Sequence, residues 1–524
     1  MRWVVQIAGF CCAGALLCTT TSKAQEENGD WHLTRADVGH SGWQRGELTL
    51  SPDNAATSFK FLWKIKLGEP SKGPHTFSEP LLAGRLINAQ GFKDIVYWSS
   101  ADTLFAVDSE LGSLIWKKKY EVKPADVSHS CAVSSLDILM EPPIVINFKA
   151  RRKRTPGTPR PPQAPPADPT ERRLGVAPGG GYFGLKGIYA LTPDGLLHEQ
   201  VMTTGADFAP PVKFLPPASD AASALNFADH MIYAVAGASC ANAATRVSAI
   251  DLASGDYSVD SLSAGKVRAL ASTGVPLTPD GAAIVVTDSG ASDSTADVPP
   301  ASVVSISKEM KVQDWYTPTG GMASYKNVSP AVFEYKGKQF IVAPGKQGGV
   351  ALLDAASLGG VDHHTPLFES APFTKAGEKH SWDGFAVSQD KAGATWIFAS
   401  ISAGLAMPDG VQGNGTASHG GIVAFKINDA NGELALTPAW VSQDMVNPAP
   451  PSIANGLVVA LAGGDASTHA VLHVFNAATG AEIYSSKDLI PTYSQLSGVS
   501  IGDSHAFFTD HDNVLYSFGI GLEH

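Results

Sequence analysis

The sequence predicts an all-β chain folded as an eight-bladed β-propeller of four-stranded antiparallel blades. Three observations carry this: one strand-turn-strand pattern recurs along the chain, glycine and proline interrupt every long helix, and a lone strand near the N-terminus completes the last unit. The 524 residues are 44% apolar and 17% charged, enough to bury at least one large core and to exclude general disorder. Gly at 52 and Pro at 35 make up about a sixth of the chain, a density suited to short strands joined by turns.

The repeat is two to four apolar residues, a polar one, a Gly-containing turn, then an apolar or aromatic strand. LFAVDSELGSLIW (Leu104 to Trp116) and LHVFNAATGAEIY (Leu472 to Tyr484) align without a gap. Weaker copies begin at Ile188, Val247, Val303, Val350, Ile422 and Leu515, giving successive spacings of 84, 59, 56, 47, 72, 50 and 43 residues. A four-stranded propeller blade takes about 40 to 45 residues, and the two longest intervals contain insertions. A blade is apolar on both faces, so it is stable only when neighbours cover it.

The last copy starts ten residues from the C-terminus and leaves no room for an outer strand. FKFLWKIKL, Phe59 to Leu67, has the alternation and the tryptophan of such a strand but precedes the first blade. It is expected to pair with the last blade and close the ring, removing open sheet edges.

DWHLTRADVGHSGWQ near the mature N-terminus, together with the two gapless copies, resembles the pyrroloquinoline quinone (PQQ) repeat family, the quinoprotein alcohol dehydrogenase-like propellers. The resemblance implies two kinds of function. One is a PQQ-dependent alcohol or sugar dehydrogenase, with PQQ and calcium on the ring axis. The other is a binding or assembly platform without catalysis, similar to family members that help assemble outer-membrane proteins. Active members carry an adjacent cysteine pair and a catalytic aspartate motif. The adjacent pair here, Cys11 and Cys12, lies in a leader segment, and no stretch takes the aspartate motif residue by residue. Nor does the chain contain C-x-x-C-H for covalent haem.

Residues 1–24 read as a signal peptide: Arg2, an apolar stretch to about Leu17, then Ser22 and Ala24 at the −3 and −1 positions of a cleavage site. The expected location is secreted or periplasmic, with residues 25–524 as the propeller and no transmembrane segment. Cleavage leaves Cys131 and Cys240, either one disulfide or two separate buried thiols. It also leaves 36 basic against 50 acidic side chains, or −14, which argues against nucleic acid as a partner. A protein partner or a small-molecule ligand on one propeller face remains.

Two insertions interrupt the pattern. Residues 151–173 hold seven prolines and seven basic residues in 23 positions and are expected to be a disordered loop, available to an anionic surface. Residues 404–421 are Gly-rich and are expected to form a flexible loop on one face.

Candidate chemistry is sparse. Lys346 in PGKQGG reads as a hairpin turn, lacking the spacing of a phosphate loop. His380, Trp382 and Asp383 in HSWDGF could line a polar pocket, or serve as a packed indole and a capped turn. These four are the cofactor-binding candidates, and no metal site is assigned. GVSIG (Gly498 to Gly502) matches a serine-hydrolase pattern but stands where a strand continues. TDHDN (Thr509 to Asn513) reads as a blade turn. His363 and His364, placed on a strand, would point to opposite faces.

Overall fold

The computed structural model describes residues 29–68, 78–88, 91–121, 136–140, 187–215, 225–236, 246–252, 257, 259–263, 274–288, 298–320, 328, 330–374, 381–406, 410–494 and 498–521. They form eight sheets in a ring, an eight-bladed propeller as the repeat predicts.

In each blade the chain runs from an inner strand outward by antiparallel hairpins. Blade 1 runs Leu81–Asn88, Gly91–Ser99, Thr103–Asp108 and Leu114–Lys119. The inner strands of the others are Asp137–Met140, Asn226–Ala228, Ala331–Tyr335, Ser381–Gln389, Ser452–Ala454 and Ser500–Gly502 for blades 2, 3, 5, 6, 7 and 8. Among the described residues blade 4 contributes three strands, Ala283–Val286, Val303–Ile306 and Val312–Tyr316, with an inner bridge from Leu277 to Ala283. Alternation of strand direction sends turns 1–2 and 3–4 of every blade to one mouth, the turn mouth. Turn 2–3 and the links between blades go to the other, the connector mouth.

Lys60–Lys66 is the outer strand of blade 8. It pairs antiparallel with Val514–Gly519, from Lys60 opposite Gly519 to Lys66 opposite Val514, so the N-terminal strand closes the ring as expected. A seven-residue helix, Pro52–Ser58, delivers it; Ser51 accepts from the Asn54 N–H, Asn54 accepts from the Ser51 N–H, and proline occupies the first turn.

The aromatic outer strand and the glycine turn of the repeat belong to one joint between blades. Trp63, Trp116 and Trp440 donate their indole N–H to the carbonyls of Ser109, Met202 and Ala477 in the next blade at 2.8–2.9 Å. Each indole lies over a glycine of that turn; a Cβ on Gly112 would come within 2.5 Å of Trp63, and φ at Gly112 is +61°. Glycine is required there on both counts.

The joint also exposes a misaligned copy. The segment at Ile188 is the second strand of blade 2, Gly187–Leu191, and the turn that matches the repeat is Met202 to Gly205, whose glycine lies under Trp116. TPDG after Leu191 forms a tight turn of its own, which the pattern did not distinguish.

The Gly-rich segment is partly built into blade 6. Gln412–Gly413 pairs parallel with Trp440 and Val441, and His419 holds Asp444 at 2.6 Å. Residues 151–173 lie outside the described residues. Among those described, no helix is long and apolar enough to cross a membrane.

Candidate functional site

The ring axis is occupied by the chain's own N-terminal segment, Asp30 to Gln44. It touches the inner edges of the eight blades in order, offering mainly main-chain groups to edges that would otherwise face an empty channel. Trp31 exchanges two hydrogen bonds with Leu82, and the carbonyl of His32 accepts from Met140. The Val38 carbonyl accepts from the Asn226 side chain and the Leu277 N–H. Gly39, Ser41 and Gly42 carbonyls accept from Val332, Val387 and Ile453, and the Gln44 amide donates to the Ile501 carbonyl at 3.1 Å. Left-handed backbone at Arg35, Ala36, His40 and Gly42 bends the segment this tightly. The Asp37 carboxylate pins the curve, accepting from Gly39 N–H, Ser41 N–H and hydroxyl, and Arg45.

At its centre Arg35 is fully buried. Its guanidinium donates to the carbonyls of Phe385, Pro450 and Pro451 at 3.3, 3.3 and 2.6 Å, and to the Ser452 hydroxyl at 3.4 Å. Its backbone N–H donates to Glu79 at 2.9 Å. Burial works against the Arg35 charge, while the Glu79 and Asp37 carboxylates support it. Burial likewise raises the Glu79 carboxyl above the usual range, opposed by Arg35. Gly498 leaves room for both, since a Cβ there would stand 2.8 Å from Arg35 and 3.3 Å from Glu79.

His40, also fully buried, has its pKa lowered to about 3, by burial first and then by Arg35. It is neutral in the fold, whereas the unfolded chain takes up a proton near pH 6.5. The unfolded state binds more protons below that pH, so stability falls as pH drops from about 6.5 toward 3. Replacing His40 with Asn, which tolerates left-handed backbone, is expected to flatten the fall. The slope of unfolding free energy between pH 6 and 4 should decrease by up to about 1.4 kcal/mol per pH unit, read from urea titrations.

The sequence-flagged residues cluster only in part. Lys346 opens the turn Lys346–Gly348 at the connector mouth of blade 5, its backbone N–H donating to Glu369. Trp382 is fully buried on the inner strand of blade 6 and donates to the Gly349 carbonyl at 3.1 Å, so it packs against the Lys346 turn. Asp383 accepts from Ser402 at 2.6 Å on the neighbouring strand. His380, Cys131 and Cys240 lie outside the described residues. His363 and His364 sit in a turn of blade 5, not on a strand. His363 stacks on Trp315 at 3.7 Å, and His364 faces the Thr317 carbonyl at 2.7 Å. Ser500 of GVSIG is buried in its strand and bonds the Pro80 carbonyl. Asp510 of TDHDN caps its turn through the N–H groups of Asp512 and Val514.

Sequence reasoning passed over Arg35, Glu79 and His40. The available signal was RADVGHSG, Arg35 to Gly42, where small and turn-forming residues crowd around Arg35, Asp37 and His40; nothing local marks Glu79. A quinone with its calcium ion would need open carboxylate and amide oxygens and a basic group facing the ligand. Among the described residues on the axis, Arg35 and Glu79 are closed to solvent; Arg35 donates through its two terminal nitrogens and Glu79 accepts through one oxygen, while Arg35 Nε and Glu79 Oε1 have no hydrogen-bond partner, so neither group stands open to a ligand as that demand requires.

No family model matches this chain, and no curated protein does. Among solved structures it is similar to the quinohemoprotein alcohol dehydrogenase from Comamonas testosteroni, with a TM-score of 0.57 and 13% identity over 96% of this chain and 82% of that one. A europium-containing methanol dehydrogenase gives 0.57 and 11% over 95% and 99%. Quinohemoprotein alcohol dehydrogenase ADHIIG from Pseudomonas putida HK5 gives 0.55 and 12% over 96% and 82%. At these identities the likeness is one of fold: the chain shares its eight-bladed ring with quinoprotein alcohol and methanol dehydrogenases.

Proposed function

We propose that this chain is an extracytoplasmic binding platform, presenting a propeller mouth to a protein partner or small-molecule ligand without turning over a quinone. The observation that carries the reading is the filled axis, where Arg35 is spent on three backbone carbonyls and Glu79 on the Arg35 N–H. The leader-like residues 1–24 support an extracytoplasmic location, and the basic residues 151–173 offer a contact for an anionic surface. The second reading, a PQQ-dependent alcohol or sugar dehydrogenase, is favoured by the likeness to dehydrogenases over nearly the whole chain. A haem relay of the kind two of their names carry would lack a C-x-x-C-H attachment here.

The two readings part in one experiment. Purified mature chain is mixed with PQQ and either calcium or europium, then followed by thermal melting and by dye reduction with primary alcohols and aldoses. The platform reading expects no PQQ-dependent shift and no reduction. A stoichiometric quinone complex with dye-linked turnover would overturn it in favour of the dehydrogenase.

A further inference from the structure

Where the last blade meets the first, a group of donors has no part in the axis. Glu110 lies in turn 3–4 of blade 1, between Thr103–Asp108 and Leu114–Lys119. Asp503 lies in turn 1–2 of blade 8, and His505 begins its second strand, His505–Thr509. Both turns open on the turn mouth, and ring closure sets them side by side. One donor atom from each of Glu110, Asp503 and His505 lies within 4.8 Å of the others. The blade 8 turn is held in place, because the Ser504 N–H donates to Glu47 at 2.7 Å.

Two features of this group call for a cation. First, two carboxylates from different blades converge on one imidazole, with a donor atom of each within 4.8 Å of the others. Second, His505 is 1% exposed and its Nδ1 has no hydrogen-bond partner, so the imidazole brings an unmet polar atom to the same place as the two carboxylates.

We propose that Glu110, Asp503 and His505 form a divalent-cation site that clasps the first blade to the last. Two carboxylates and one imidazole suit a first-row transition ion such as Zn²⁺ or Mn²⁺, whereas Ca²⁺ wants about six to eight oxygen ligands. Donors at about 2.1 Å from a tetrahedral ion stand about 3.4 Å apart, so modest rotation of the two carboxylates closes the site. Water or Asp94 completes the shell. The site joins chain segments almost 400 positions apart, Glu110 and Asp503, and so reinforces the same closure as the outer strand of blade 8.

The test uses full-length mature chain stripped with a chelator, with no quinone present. Titration calorimetry with ZnCl₂, MnCl₂ and CaCl₂ is paired with thermal melting of the wild type, Glu110→Gln, Asp503→Asn and His505→Gln. One Zn²⁺ or Mn²⁺ per chain is expected, with a raised melting temperature and an affinity at least tenfold above that for Ca²⁺. Glu110→Gln, on a turn, should weaken binding at least tenfold without lowering the metal-free melting temperature. Absence of binding by the wild type would mean that a proton alone settles the acids, and would overturn the proposal. Binding unchanged in both Glu110→Gln and Asp503→Asn would place the ion elsewhere and overturn it equally.

Discussion

Replacing Arg35 with methionine is expected to destabilise the propeller by about 3–5 kcal/mol, read as a lower urea midpoint with an unchanged slope. Methionine fills much of the same volume, so the loss comes from polar groups left behind. Three carbonyls, those of Phe385, Pro450 and Pro451, and the Ser452 hydroxyl lose a donor in a region with no access to water. Glu79 loses its nearby cation while remaining fully buried. The double variant Arg35→Met/Glu79→Gln is expected to recover part of the loss, because the stranded acid has been replaced by a neutral group of similar shape. An Arg35→Met midpoint equal to that of the wild type would show that main-chain bonds alone hold the axial segment. A double variant no better than the single one would show that Glu79 is adequately served by its neighbours.

The axial segment was also the least legible part of the sequence, and the reason is physical. Many of its bonds to the blades run through backbone carbonyls, which every residue possesses, to strands some of which lie more than four hundred positions away, while the Arg35 guanidinium and the Gln44 amide reach them through side chains. Side-chain identity therefore carries little trace of them beyond the small residues Gly39, Ser41 and Gly42, which allow close approach. The blades were legible because their signal is local and repeated. Leu104 to Trp116 and Leu472 to Tyr484 each hold a third strand, its glycine turn and the start of the fourth strand, and the joint demands glycine under the preceding blade's indole. The copy at Ile188 shows the limit of that signal, since TPDG satisfies the turn chemistry without occupying the joint.

Candidate site residues fared differently according to what each required. Lys346 was placed in a turn by its glycines, and it is in one. That the neighbouring Trp382 is sealed beneath that turn depends on the packing of blades 5 and 6, which composition does not encode. Glu110, Asp503 and His505 escaped notice because SELG and GDSH look like ordinary hairpin turns. Only the position of the closing strand, taken one step further, puts those two turns beside each other.

That closing strand gives the largest expected effect of all. A chain lacking residues 25–67 is expected to lose cooperative unfolding and to self-associate, because the deletion removes two structural functions together. Blade 8 loses its outer strand, which exposes the Val514–Gly519 edge, and strands with open edges pair with other chains. The inner edges of the eight blades simultaneously lose their axial partners, leaving buried main-chain groups unpaired around a hollow. A milder variant isolates the first function. Trp63→Ala keeps the strand but removes the indole that covers Gly112 and donates to Ser109, and should cost about 3–5 kcal/mol. Supplying residues 25–67 as a separate peptide should restore a sharp melt to the truncated chain, since register and chemistry are unchanged and only connectivity is cut. Should the truncated chain melt sharply as a monomer without the peptide, neither the closing strand nor the axial segment would be what holds the ring together.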